Sequence, residues 1–382
     1  MIPCQRHVFD MPDDVAYFNC AYMAPTLKAV RDAAGGALER TSRPWQIAAA
    51  DFFAPAERAR ELFAQLIHAR ADDIAIIPSA SYGISTAARN LRLGKGQAIL
   101  VLDEEFPSNV YPWHALARRD GGEIVVVRRP ADGDWTAAVL AAIDDRIAIA
   151  ALSHCHWTDG GLVDLERVSP ALQRVGARLV LDATQSLGAM PLDVTRVKVD
   201  YLSCAAYKWL LGPYSIGFLY AAEPHHGAEP LEYNWITREQ SENFNGLVDY
   251  RDGYQPGARR FDMGERASFM LLPMATAALH QLLAWTPEAT AATLSEITGR
   301  IARGAAELGL AVAPAHLRAG HLMGVRFPSG APAGFLEQLQ ARKVFVSLRG
   351  GTVRIAPHLF TRPEDVDRLL DALRVAVLGR SR

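Results

Sequence analysis

Lysine is scarce in this chain of 382 residues: Lys28, Lys95, Lys198, Lys208 and Lys343 stand among 40 basic residues. Where the chain needs only positive charge it uses arginine, so a lone amine is a chemical choice. Lys208 sits between two apolar strand-like runs, Tyr201 to Ala206 and Ile216 to Tyr220, just before the turn Gly212-Pro213. An amine, unlike a guanidinium, loses its proton when desolvated, attacks a carbonyl and forms a Schiff base. The ordinary fate of a strand-end lysine is to snorkel, stem packed and ammonium in water. A second group is Asp182, which ends the apolar run from Ala177 to Ala183, where a carboxylate has no packing reason to be. Turn formation or helix capping is the common explanation of such an aspartate. A third is Ser79-Ala-Ser-Tyr-Gly-Ile-Ser85, a small-residue turn between a strand-like run and a helix. Free backbone N–H groups and the helix dipole favour an anion at such a place.

These groups need a scaffold, and the chain between them alternates strand and helix. Strand-like runs fall at 74–78, 97–103, 123–129, 147–154, 177–183, 199–206 and 216–221, with helical patterns at 55–69, 79–91, 111–120, 135–143 and 168–176. An earlier helix is expected to begin near Thr26, after Pro25. Such alternation predicts an α/β fold with a doubly wound, mainly parallel sheet, whose ligands collect at the carboxyl ends of the strands. Asp182, His154 and Lys208 all fall at or just after strand ends, so one crevice is expected to receive all three. From Glu229 to Arg260 the chain is polar, aromatic and aperiodic, a long irregular connection of the kind that serves function or an interface. Helical patterns follow at 269–285, where Pro273 is tolerated only in the first turn or at a kink, and at 292–308. Short strands at 321–328, 344–349 and 352–357 and a last helix at 363–379 predict a smaller α+β unit.

Composition narrows the classes of function. A net charge of −2 without a run of basic residues argues against a nucleic-acid binder. The start, Met1 to Asp14, lacks a charged region followed by an apolar one, and no apolar run approaches the ~20 residues that span a bilayer. No membrane association and a cytoplasmic location are the expectation. Cys4, Cys20, Cys155 and Cys204 are single and widely spaced, as are most histidines apart from His154-Cys155-His156 and His225-His226. Neither a disulfide framework nor a metal site is expected.

A Schiff-base lysine paired with an aspartate that keeps a pyridine nitrogen protonated is what pyridoxal 5'-phosphate (PLP) chemistry requires, because the protonated ring is the electron sink for a Cα carbanion. At this point the residues resemble the class V aminotransferase family of fold-type I PLP enzymes, which includes cysteine desulfurases, selenocysteine lyases and isopenicillin N epimerase-like proteins. The resemblance runs from Tyr17-Phe-Asn-Cys-Ala-Tyr22 to Arg354 and the terminal helix, and is best at Leu179 to Val194, at Asp200-Tyr201 and at Tyr207 to Pro213.

The resemblance implies a large seven-stranded-type sheet domain over residues 26–268, a small α+β domain over 269–382, and an N-terminal segment, 1–25, packing on the small domain. It makes Lys208 the Schiff-base lysine and proton shuttle, Asp182 the pyridinium partner and Gln185 a donor to the cofactor's phenolic oxygen. Ala80, through its N–H, and Ser81 correspond to the phosphate turn, and Tyr207 stands where the family often has a phosphate-side histidine. Phe106 falls where desulfurases place a ring-stacking histidine; a phenyl ring still stacks but moves no proton. Trp157 and His156 fall near the phenolic oxygen or the substrate side. Arg354 matches the arginine that grips the substrate α-carboxylate, a task suited to its bidentate fork. Ser268 corresponds to a contact reaching the partner's phosphate across a homodimer with shared active sites.

Departures from the family matter equally. Val346 to Val353 is short and lacks the nucleophilic cysteine of desulfurases, and Cys20, Cys155 and Cys204 sit in packed contexts that favour inert thiols. The expectation is therefore a PLP enzyme acting at Cα of a small-molecule amino acid, by transamination, with β-elimination of a sulfur leaving group or epimerisation as alternatives. A non-catalytic PLP-binding regulator would call for an appended DNA-binding domain, for which the chain has no room.

Overall fold

The computed structural model describes residues 1–378. Strand β1 (Ala16–Tyr17) precedes helices α1 (Lys28–Thr41) and α2 (Ala54–Leu66). An alternating series follows: β2 (Ile74–Ile77), α3 (Ala80–Asn90), β3 (Ala98–Leu102), α4 (Tyr111–Asp120), β4 (Glu123–Val127), α5 (Trp135–Ala142), β5 (Ile147–Ser153), α6 (Leu165–Arg174) and β6 (Arg178–Asp182). Strands β7 (Tyr201–Ala205) and β8 (Gly217–Ala221) close that series. Beyond the long connection come α7 (Leu271–Trp285), α8 (Pro287–Glu307), β9 (Ala311–Val312), β10 (Met323–Arg326) and α9 (Phe335–Ala341). The chain finishes with β11 (Val344–Phe345), β12 (Ser347–Arg349), β13 (Thr352–Ile355) and α10 (Pro363–Leu378).

The large sheet has seven strands in the order β2-β8-β7-β6-β5-β3-β4. All neighbours run parallel except the pairs β2/β8 and β7/β8. Two reversals cancel, so β2 points the same way as β7, and its carboxyl end joins those of β3, β5, β6 and β7 on one edge. Strands buried on both faces read as continuous apolar runs, here Ala-Ile-Leu-Val-Leu in β3 and Ile-Ala-Ile-Ala-Ala-Leu-Ser in β5. Alternate residues feed two cores: Ile74 and Ile76 join one with Phe63, Leu165 and Leu279, while Ala75 and Ile77 join another with Ile84, Ile99 and Trp113.

The second sheet, β12-β13-β10-β9, is antiparallel and carries a third core of Val325, Val353, Ile355 and Leu369. Strand β1 pairs in parallel with β11, and its neighbour Phe18 enters that third core. Helix α7 packs against α1 and α2, with Pro273 in its first turn, where the missing N–H costs nothing.

The irregular connection is tied down by charge. Asp262, fully buried, accepts from Arg60 and from Arg266 at 2.6 Å and also takes the Ile76 N–H at 2.7 Å. A buried carboxylate so surrounded holds the end of β2 in place, directly before the small-residue turn. Several local readings differ: α6 begins at Leu165, three residues early, and the expected strand 344–349 divides into β11 and β12, which belong to different sheets. Helix α1 begins at Lys28, two residues later than expected, because Leu27 is still extended. Helix α2 stops at Leu66, since His68 turns into the left-handed region. Helix α9 was not anticipated from the sequence, its seven residues being too few to display a period. Gly379, expected at the end of the last helix, lies outside the described residues. Among the described residues no helix is long and apolar enough to cross a membrane.

Candidate active site

The shared carboxyl edge encloses a cavity of about 220 Å³, lined among others by Ala80, Ser81, Glu105, Phe106, Trp157, Asp182, Gln185, Tyr207 and Lys208. Two glycines let the lining close up. Gly83 in α3 faces β7 so tightly that a Cβ would lie 2.4 Å from Ser203 Oγ, and that hydroxyl in turn donates to the Ala80 carbonyl at 2.9 Å. Gly188, at φ +95°, brings the turn after Asp182 against the backbone of Trp209, where a Cβ would meet the carbonyl oxygen at 2.2 Å. This second contact carries Gln185 beside Lys208. Leu211 and Ser215, also at positive φ, flank the Gly212-Pro213 turn that returns the chain into β8.

Lys208 follows β7 and is 7% exposed. Its ammonium makes no hydrogen bond or ion pair among the described residues, lying 5.4 Å from the Phe106 ring centroid and 5.5 Å from that of Tyr207. Burial pulls its pKa down to about 8, partly opposed by Asp182 and assisted by Arg354. Asp182, at the end of β6, is also buried; its Oδ1 accepts the Thr184 N–H at 3.0 Å, and desolvation raises its pKa despite that bond and Lys208. At the start of α3, Ser79 caps by accepting the Tyr82 N–H at 3.2 Å, and Ser79 and Ser81 hydroxyls lie 2.9 Å apart. The Ala80 and Ser81 amides, at the first positions of the helix, find no partner among the described residues.

Gln185 is held at both ends, donating from Nε2 to the Ala21 carbonyl at 3.0 Å and accepting the Trp209 indole N–H at 2.9 Å. The ring of Phe106 meets Trp157 edge-on, centroids 5.4 Å apart. Tyr207 packs on Tyr214 at 4.6 Å. A cavity of about 430 Å³ that shares Phe106, Trp157, Tyr207, Lys208 and Tyr214 with the first brings in Tyr22, Arg349 and Arg354. Arg354 is 1% exposed; it donates from Nη1 to the Trp157 carbonyl at 2.9 Å and from Nε to Ser347 Oγ at 3.1 Å. Burial, with Arg349 nearby, lowers its pKa to about 9.

The sequence reading of this edge needs correction at two histidines. His154 does not line the cavity: alternation along the strand and its extension puts Ser153 and Cys155 on the cavity side and turns His154 away. Buried there, it has its pKa lowered to about 4. His156 likewise packs elsewhere, stacked on Trp135 at 5.0 Å with Nε2 donating to the Asp103 carbonyl at 2.9 Å. Ser268 lies outside the Lys208 cavity, in a separate one of about 550 Å³ that shares only Ser215 with it. Two charged lining residues escaped the sequence reading. Glu105 is buried, its oxygens accepting the Phe106 N–H and the Ser153 hydroxyl, each at 2.7 Å, and burial pushes its pKa up to about 7. The sequence signal was a carboxylate directly after a β3-like apolar run. Arg349 is the other, and nothing separates it in sequence from the many surface arginines.

Comparison with known proteins decides what this cavity belongs to. The family model described as aminotransferase class-V matches residues 40–353. The chain belongs to the class V aminotransferase family. An uncharacterized aminotransferase, YcbU, of Bacillus subtilis is 28% identical over 85% of this chain and 84% of its own. A probable cysteine desulfurase of Methanothermobacter thermautotrophicus is 32% identical over 53% of this chain and 51% of its own. The solved structure of a C-DES mutant with glycine covalently linked to its PLP cofactor superposes with a TM-score of 0.86 at 20% identity, covering 97% of this chain and 99% of that one. The fold is that of the fold-type I PLP enzymes, as the resemblance implied.

The chain is thus a PLP-dependent class V enzyme, and its own atoms fit the cofactor. The cavity offers an unpartnered buried amine for the aldehyde, unpaired amides at a helix start for a phosphate, and a buried carboxylate without a cation of its own for a ring N–H. Among the described residues no cluster of metal ligands exists.

Proposed function

We propose that this class V enzyme acts at Cα of an amino acid and transfers its amino group, with Lys208 as the mobile base. When bound, PLP supplies the electron sink. Asp182 would keep a proton on the ring nitrogen, Ala80 and Ser81 would receive the phosphate at the start of α3 with Tyr207 beside them, and Phe106 would pack against the ring. Gln185 presents an N–H to the phenolic oxygen. Arg354 grips the α-carboxylate, which orients the Cα–H bond. Lys208 Nζ, near pH 8 already partly unprotonated, would take the Cα proton and hold it for return.

One observation carries this reading: Lys208 is a buried amine of the cavity whose Nζ has no hydrogen bond or ion pair among the described residues and whose pKa burial pulls down to about 8, suited to moving a proton near neutrality. Both Glu105 oxygens are engaged, and the Cys155 thiol donates to the Gln185 carbonyl while burial pushes its pKa well up. A single base serves transamination, whereas two-base epimerisation asks for a second one. β-Elimination of a thiol also needs only one base, and the desulfurase relative favours it as the second reading. Persulfide formation on the enzyme is disfavoured, because the β12–β13 hairpin has no cysteine and Cys20, Cys155 and Cys204 are buried with raised pKa values.

Product analysis after mixing the holoenzyme with amino acids separates the two. A 2-oxo acid released stoichiometrically with the amine form of the cofactor supports transamination; pyruvate, ammonia and a thiol with unchanged cofactor sink it. The reading includes a homodimer, supported by the partly exposed aromatic cluster of Phe52, Trp235, Phe244 and Phe269 beside Ser268. A monomer mass in sedimentation would remove that part.

A further inference from the structure

On the substrate side of Lys208, the cavity of about 430 Å³ is lined by Lys208, Arg349 and Arg354 together with aromatic and small apolar groups, and by no carboxylate. Arg354 has a task in the proposed function. Arg349 has none, yet it faces the same space.

Strand geometry explains how both arrive there. In the β12–β13 pair, Ser347 stands opposite Arg354 and Arg349 opposite Thr352. Side chains two apart on a strand share a face, so Arg349 is the diagonal neighbour of Arg354, with Cβ atoms roughly 7 Å apart. Arg349 is half-buried, and its one side-chain hydrogen bond among the described residues goes from Nη1 to the Leu348 carbonyl at 2.7 Å. Its guanidinium lies over the Trp157 ring, 5.8 Å from the centroid, and that ring is anchored by its indole N–H donating to the Glu104 carbonyl at 2.8 Å. The acid that lines the adjoining groove with Arg349, Glu104, is already paired with Arg129 at 2.8 Å. Neither Arg349 nor Arg354 has a carboxylate partner among the described residues. Two like charges held as diagonal neighbours repel, and an anion placed between or upon them relieves that repulsion.

We infer that the substrate is an amino acid with a negatively charged side chain, its α-carboxylate on Arg354 and its side-chain anion on Arg349. This rests on the reading of Arg354 as the α-carboxylate grip. Aromatic stacking from Trp157 restricts the Arg349 fork, so less freedom is lost when a planar anion is received. Neutral amino acids of the same shape would leave Arg349 unpaired in a partly desolvated site.

Binding tests this without depending on which reaction follows. Aspartate, glutamate, asparagine and glutamine are titrated into the holoenzyme, and dissociation constants are read from the shift of the cofactor's visible band. The acidic members are expected to bind about 10- to 100-fold more tightly than their amides. Arg349→Gln should erase that ratio while leaving the amides unchanged, and Arg349→Lys should keep part of it. Equal affinity for acid and amide in the unaltered enzyme, or an unchanged ratio in Arg349→Gln, overturns the assignment. Arg354→Gln should weaken all four ligands alike, so failure of the α-carboxylate reading shows separately from failure at Arg349.

Discussion

The indole N–H of Trp209 donates to Oε1 of Gln185 at 2.9 Å, and this bond decides which way the Gln185 amide faces. An indole is a donor only, so it accepts no other orientation. Nε2 then meets the Ala21 carbonyl at 3.0 Å and keeps a second N–H for the cavity that Gln185 lines. His321 completes the support, with Nε2 donating to the Gln185 backbone carbonyl at 2.6 Å and its ring edge-on to Trp209. The residue after Lys208 thus orients a group that lines the same cavity.

Trp209→Phe removes that constraint and is expected to weaken PLP binding about tenfold, the loss of one oriented hydrogen bond to a charged oxygen. The pH at which the cofactor's visible band changes should also move, a response that lost packing alone would not produce. Equilibrium titration with PLP and a pH series of absorbance spectra check both. An unmoved transition would mean that Gln185 does not contact the phenolic oxygen.

Asp182→Asn should have opposite effects on the two forms of the protein. Burial raises the Asp182 pKa above its ordinary 3.8, so between that value and the raised one the folded cofactor-free chain binds more protons than the unfolded chain. Its stability therefore falls as pH rises through that window and stays reduced at neutrality. Asparagine abolishes the penalty, and the cofactor-free variant is expected to melt a few degrees higher than the parent at pH 7. The stabilisation gained on adding PLP should shrink, because no carboxylate meets the ring N–H. A lower melting temperature of the cofactor-free variant would show that Asp182 is not an uncompensated buried charge.

Lys208 sets a pH dependence of the other sign. Its amine must be unprotonated to attack, so the rate of PLP attachment to cofactor-free protein should rise with pH and level off above about 8, not near the ordinary 10.5. Between those two values the unfolded chain holds a proton that the folded chain has lost, so stability of the cofactor-free form rises with pH across that window. Stopped-flow absorbance across pH 6 to 11 (roughly the range flanking both values) reads the first effect. A midpoint near 10.5 would contradict the burial of the amine.

Much of this was legible before any coordinates. The alternation from Ile74 to Ala221 announced the parallel sheet because its central strands, such as β3 and β5, are buried on both faces and had to be largely apolar. Ser79 to Ser85, Asp182 and Lys208 stood out because a polar or reactive group at the end of such a strand violates the local pattern. What escaped were properties of pairing. His154 and Ser153 are adjacent in sequence, and only the stacking of β5 against its neighbours says which of them faces the cavity. Glu105 was visible as a carboxylate but not as one closed off by Phe106 and Ser153.

Arg349 marks the boundary most clearly. By itself the sequence determined the strands, the helix-start turn, and the lysine and aspartate, because hydrophobic period and residue type are local quantities. The tertiary structure alone decided that Arg349 stands beside Arg354 with no carboxylate partner among the described residues, because being unpaired is a statement about where the surrounding carboxylates have gone. Glu104 went to Arg129, and the hairpin turned both guanidiniums to one face.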